Sequence, residues 1–187
     1  MSPILEAAIE FQAFCQSRSW RFSFIGGIVV PRWGEPRTTA DADLTLLTGF
    51  GGEESFVDAI LATFRPRRGD ARELALTRRV LLIEARNTIP LDVSLGALPF
   101  EERLVDRSTA YEVIPGVALR TCSAEDLVVL KAFAGRDQDW LDIRGIAIRQ
   151  GARLDEALIQ RELEPLLDLK GAPEAGTRLR AILEGAR

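Results

Sequence analysis

Histidine is missing from this sequence, and its absence excludes a large share of protein chemistry. Without an imidazole there is no Ser-His or Cys-His nucleophilic pair, and no histidine-ligated zinc or iron. Catalysis in this chain has to run on carboxylates, Lys, Arg and hydroxyl groups. Cysteine is scarce too: Cys15 and Cys122 lie far apart, match no metal-ligand spacing, and fit a reduced, cytoplasmic protein. No apolar run approaches the roughly 20 residues a membrane-spanning helix needs, and the N-terminus lacks the basic-then-apolar order of a signal peptide. A soluble protein without a membrane partner is expected. Excess positive charge is also lacking; the formal net charge of -4 argues against non-specific nucleic-acid binding, while leaving room for a local basic patch.

What is present is enough apolar sequence for a sizeable core. The 187 residues suit one domain, or one domain with a helical extension. The expected class is α+β: a small mixed β-sheet with helices packed on one face across residues 1–122, then a C-terminal helical part across 123–187 packed on that core. Ser2-Pro3 reads as a helix start, followed by a stripe of Ile4, Ala8, Phe11 and Cys15 as far as Arg18. Phe22–Ile25 reads as a strand ending at Gly26-Gly27, with a short helical turn over Ile28 to Trp33 after it. Residues 41 to 46 alternate, Asp41, Asp43 and Thr45 against Ala42, Leu44 and Leu46, as a strand with one buried face does. Glu53 to Phe64 resumes helical spacing, and Asp70 to Glu73 reads as a capping box.

Farther along, Val80–Glu84 and Leu91–Leu95 flank Asn87-Thr88 as the arms of a hairpin. On the second arm Asp92 and Ser94 share the face opposite Leu91, Val93 and Leu95. Pro99–Arg107 is expected to be helical, and Tyr111 to Thr121 to supply strands around Pro115-Gly116. Ser123 caps a helix with Asp126 three residues on, and Leu127, Leu130 and Ala134 form its stripe. Gly135 breaks that helix before a second one reaches Arg149. The rest is helical and ends in a solvated tail.

Three groups of residues carry candidate chemistry. Asp41 and Asp43, at i and i+2 of a strand, sit about 6.5 to 7 Å apart at Cα and point the same way. They read either as ligands of one hard cation such as Mg²⁺ or as solvated charges guarding a strand face. Asp92, mid-strand in an apolar segment, is costly there unless solvated or paired; if the two strands are neighbours, all three carboxylates share a surface. Gly26-Gly27 offers backbone N–H groups to an anion without Cβ obstruction, or simply makes a packing turn. Arg37 and Thr39 stand ready for phosphate or for bracing the aspartates. In the third group Lys131 and Arg136 read as phosphate ligands, with Asp139 and Asp142 on one helical face to position them. Spacing alone favours a plainer reading, an amphipathic helix with its charges in water.

The order Gly26-Gly27, Arg37-x-Thr39-x-Asp41-x-Asp43-Leu44, Asp92, then Lys131, Arg136, Asp139 and Asp142 resembles the nucleotidyltransferase superfamily with the DNA-polymerase-beta-like fold. Within it the pattern is most similar to AbiEii-like toxins and minimal nucleotidyltransferases. The resemblance spans Phe24 to Ile143. It implies Asp41, Asp43 and Asp92 as catalytic ligands of Mg²⁺ or Mn²⁺, with Asp92 also helping to deprotonate the attacking hydroxyl. It implies Gly26, Gly27, Arg37, Thr39, Lys131 and Arg136 as nucleotide ligands, and a nucleoside triphosphate, ATP among the candidates, as substrate. Two positions depart from the pattern: many members have Gly-Ser at 26–27, and AbiEii-like proteins often carry Lys at position 138, where this chain has Gln138.

The expected reaction is transfer of a nucleoside monophosphate to an acceptor hydroxyl on RNA (tRNA included), a protein or a small molecule, in a toxin-antitoxin component with a protein partner. The alternatives are a binding module with little or no turnover, and an acidic scaffold whose aspartates are surface charge.

Overall fold

The structure is a computed structural model and describes residues 1–186; the last residue of the expected tail, Arg187, lies outside them. Contacts divide the chain into two units, Met1–Ile28 with Thr38–Cys122, and Val29–Arg37 with Ser123–Arg187.

The first unit is built on a mixed sheet. Helix α1 (Pro3–Ser17) begins at an extended Ser2, with Pro3 where its missing N–H is harmless, and buries Ala7, Ala8, Phe11 and Cys15. The Ser2 hydroxyl makes no capping bond, so the start is set by Pro3. Strands β1 (Phe22–Ile25), β2 (Ala42–Leu47), β3 (Arg65–Pro66), β4 (Val80–Glu84), β5 (Pro90–Gly96), β6 (Thr109–Ile114) and β7 (Val117–Thr121) form one sheet in the order β3-β4-β5-β2-β1-β7-β6. Two pairings are parallel, β2 with β5 and β1 with β7; the rest are antiparallel. Helices α3 (Glu53–Leu61), α4 (Ala71–Arg78) and α5 (Pro99–Arg107) complete the unit.

Its core follows from strand alternation: Ala42, Leu44 and Leu46, Leu81 and Ile83, and Leu91, Val93 and Leu95 are all buried. One sheet edge is protected by brevity and charge, two-residue β3 carrying Arg65 and Pro66, while β6 at the other edge is largely exposed. Two details differ from the sequence reading. Asp70 precedes α4 without capping it, because its carboxylate is taken by Arg68 at 2.8 Å. Thr45 is buried although it lies on the Asp43 side of β2. Gly96 of β5 approaches so closely that a Cβ there would stand 2.8 Å from the Thr45 methyl, and α5 packs on the strand.

The second unit is helical: α2 (Val30–Trp33), α6 (Ala124–Ala134), α7 (Asp137–Gln150), α8 (Glu156–Lys170) and α9 (Glu174–Gly185). The Ser123 hydroxyl accepts the Asp126 N–H at 3.1 Å, and Gly135, at φ +72°, closes α6 in the left-handed conformation that glycine adopts without strain. Helix α6 does not have the one-sided stripe its sequence suggests. It packs against α7, α8 and α9, burying Leu127, Val128, Val129, Lys131 and Ala132. Both cysteines are buried and free, and burial pushes the Cys15 thiol up to about 12, which keeps it protonated at neutral pH. No helix among the described residues is long and apolar enough to cross a membrane.

Candidate functional site

Strand register assembles the site. Asp43 of β2 pairs with Asp92 of β5 in the parallel ladder, and Asp43 pairs on its other side with Ile25 of β1. Directly paired residues point to the same face, so Asp43 and Asp92 meet. Asp41, just before β2 and two residues from Asp43, shares that side. One carboxylate oxygen from each of Asp41, Asp43 and Asp92 lies within 4.8 Å of the others, and all three side chains are half-buried.

Three anions this close repel. At 4.8 Å and an effective dielectric constant of about 20, each pair stands about 3.5 kcal/mol uphill. Neighbours offset part of this. The Thr39 hydroxyl donates to the Asp41 carboxylate at 3.1 Å, and the Arg67 guanidinium is hydrogen-bonded to Asp92. Burial pushes the Asp92 carboxyl above the ordinary range; Arg67 draws it down and Asp41 pushes it further up, for a net rise. Three hard oxygen donors converging from a rigid sheet fit Mg²⁺ or Mn²⁺, which takes one or two carboxylates and completes its shell with water or phosphate.

Gly26, the residue after β1, fits the same site. Its φ is +66°, and a Cβ built there would lie 2.1 Å from Asp43 Oδ2, inside the carboxylate. The missing side chain at 26 is therefore the space Asp43 occupies. Gly26→Ala combines a left-handed backbone cost of about 1–2 kcal/mol with displacement of Asp43. It is expected to lower the melting temperature by about 5 °C and to weaken Mn²⁺ binding about tenfold or more, as calorimetry of the folded variant reads. Undiminished Mn²⁺ binding would show that Asp43 does not need this space.

Arg37, Lys131 and Arg136 belong to the helical unit, where each has a defined partner. Arg37 makes a two-pronged bond to Asp142, Nε to Oδ1 at 2.8 Å and an amino nitrogen to Oδ2 at 2.9 Å. Lys131, 4% exposed, donates to Asp142 at 2.6 Å and to Asp139 at 3.3 Å. Gln138 adds a third donor to Asp142 at 3.0 Å, and the Arg136 N–H caps its helix on Asp139 at 3.2 Å. The plainer sequence reading, charges in water, fails for Lys131, Asp139 and Asp142, because α6 lies among the other helices and a charge facing inward there must be paired. The Arg136 side chain remains exposed. Burial by itself pushes the Asp142 carboxyl up, but the bonds from Arg37, Lys131 and Gln138 outweigh it and hold the carboxyl below its ordinary range.

The structure thus brings together Gly26, Thr39, Asp41, Asp43 and Asp92 in the sheet unit, with Gly27 next in the chain. Arg67 joins them without having been singled out in the sequence. It sits in Arg65-Pro66-Arg67-Arg68, and the only linear signal is that basic run before a helix. Which of its arginines faces the carboxylates is a matter of sheet register.

An α+β unit whose mixed sheet presents three carboxylates from adjacent parallel strands is the class that fold and site define. Among solved structures the chain is similar to the crystal structure of an antigenic nucleotidyltransferase-like protein from Paracoccidioides brasiliensis, with a TM-score of 0.53 at 16% identity, over 96% of this chain and 94% of that one. The chain has a nucleotidyltransferase-like fold. It also overlaps the solution structure of the antibiotic-resistance factor ANT(2'')-Ia at 16% identity, over 97% of this chain and 89% of the other, but at a TM-score of 0.47 that likeness bears no weight. No protein-family model and no curated protein matches the sequence.

Proposed function

We propose that this chain is a divalent-metal-dependent nucleotidyltransferase that moves a nucleoside monophosphate from a nucleoside triphosphate to an acceptor hydroxyl. The observation that carries the reading is the convergence of Asp41, Asp43 and Asp92 oxygens within 4.8 Å on a fold of this kind. Asp41 and Asp43 would hold the cation and Asp92 would join them. A bound cation supplies Lewis-acid stabilisation of charge at the α-phosphate and lowers the acceptor's pKa. The acceptor oxygen bonds to the α-phosphorus, the bond to the β-phosphate oxygen breaks, and pyrophosphate leaves with that electron pair. Asp92 takes the acceptor's proton. Gly26 makes the room that Asp43 fills, backbone N–H groups at Gly26 and Gly27 would meet the triphosphate, and Thr39 keeps the Asp41 carboxylate oriented.

The finer reading is an AbiEii-like toxin with an antitoxin partner, acting in the cytoplasm on tRNA, another RNA, a protein or a small molecule. It rests on the Arg37-to-Asp43 run and the Lys131-to-Asp142 helices. One observation favours the second reading, a nucleotide-binding module with little turnover. Lys131, the cation expected to neutralise the triphosphate, is buried and already committed to Asp139 and Asp142.

Calorimetric titration with Mg²⁺ and each of the four common triphosphates, followed by pyrophosphate release with RNA, protein and small-molecule acceptors, separates the readings. Binding with pyrophosphate release is expected. Binding without release across those acceptors supports the module, and no binding of metal or nucleotide rejects both.

A further inference from the structure

Three arginines follow α3, and each is matched to a different acid. Arg65 pairs with Glu84 at 3.2 Å and is largely exposed; Arg68 pairs with Asp70 at 2.8 Å, both about half exposed. Arg67 alone of the three turns to the carboxylate cluster. Its backbone N–H donates to the Leu82 carbonyl of β4 at 3.0 Å, and Leu82 pairs with Asp92 of β5. Arg67, Leu82, Asp92 and Asp43 therefore lie in one row across the sheet. The guanidinium spans the width of β4, roughly two strand spacings of 4.8 Å, to reach Asp92. Both side chains of the pair are about 70% withdrawn from solvent, so the attraction is screened less than on an open surface.

We infer that Arg67 is a built-in counter-ion for the site, holding Asp92 in the metal-free protein and giving it up when a divalent cation is bound. This rests on the metal reading of Asp41, Asp43 and Asp92. Without such a charge the three anions would repel one another in the resting protein; with it, the cluster stays ordered, and a cation has to compete with the guanidinium for its third ligand. Because the guanidinium is bonded to Asp92, Asp92 is the last of the three to engage a cation.

The test is Mn²⁺ binding by isothermal titration and by electron paramagnetic resonance on wild type, Arg67→Ala, Arg67→Gln and Arg68→Ala, with Asp43→Asn as the site knockout. Loss of the competitor is expected to tighten Mn²⁺ binding about five- to tenfold in both Arg67 variants and to leave Arg68→Ala at the wild-type value. Without metal, the Arg67 variants should melt lower than wild type, with saturating Mn²⁺ closing the difference. Wild-type binding that is lost in Asp43→Asn but equal or weaker in both folded Arg67 variants overturns the counter-ion role and leaves the metal site standing. No Mn²⁺ binding in any of the proteins, or binding unaffected by Asp43→Asn, overturns the metal reading itself and the inference with it. Tighter binding in only one Arg67 variant also overturns it, because the two share nothing but the lost charge.

Discussion

Asp43→Asn is expected to abolish the proposed metal-dependent nucleotide transfer while leaving the fold intact. Asn is chosen over Ala because Asp43 fills the space a Cβ at Gly26 would take, and Asn preserves that packing while removing the charge. A neutral amide ligates Mg²⁺ less strongly than a carboxylate, and the pair Asp43–Asp92 is the register contact on which the cluster is built. Transfer should fall at least about a hundredfold, since a lost ligand removes charge stabilisation needed in the transition state. The metal-free protein, by contrast, should melt at the wild-type temperature or above it, because one of three mutually repelling anions is gone. Asp92→Asn should behave alike in activity. Transfer undiminished in both variants would remove this site from consideration; a collapse of the fold in the absence of metal would show Asp43 to be structural.

The largest effect on stability is expected from Asp142→Ala. Its carboxylate is almost fully buried and receives Arg37 through two bonds, Lys131 at 2.6 Å and Gln138 at 3.0 Å. Removing it leaves the buried Lys131 ammonium with Asp139 alone, at 3.3 Å, and takes from Arg37 the two bonds it makes to Asp142. Breaking a buried ion pair on one side costs about 3–5 kcal/mol, which urea denaturation at pH 7 will read. The same carboxylate gives a pH signature. Its pKa is held below its unfolded value, so its stabilisation is fully present above that unfolded value, about 3.9, and is lost as pH falls through the lower folded one. The stability difference between wild type and Asp142→Asn is therefore expected to hold constant from pH 7 to about pH 5 and to narrow below about pH 4. A difference that stays the same down to pH 3 would mean the Asp142 charge is not what stabilises this unit.

Much of the architecture could be read in one dimension because the signals were local. The β2 alternation, the hairpin around Asn87-Thr88, Pro99–Arg107 as α5 and the Ser123 cap each depend on residues a few positions apart, and each is present in the structure. The readings that changed depend on distant partners. Thr45 is buried by Gly96, Asp70 is diverted from its cap by Arg68, and Lys131 is buried because three helices surround α6. Arg67 is the clearest example, since nothing near it in the chain separates it from Arg65 or Arg68.

The sequence by itself determined which groups are available: no imidazole, two isolated thiols, and aspartates placed at i and i+2 of a strand so that they share a face. It determined that Asp92 occupies the polar side of its own strand. Only the tertiary structure decided that β2 and β5 are parallel neighbours with Asp43 opposite Asp92, because pairing and register are set by which apolar faces pack together across a long stretch of chain. It also decided that Lys131 meets Asp139 and Asp142 and that Arg67 meets Asp92. A charge's partner is chosen by burial and distance in space, and neither quantity is written in the order of residues.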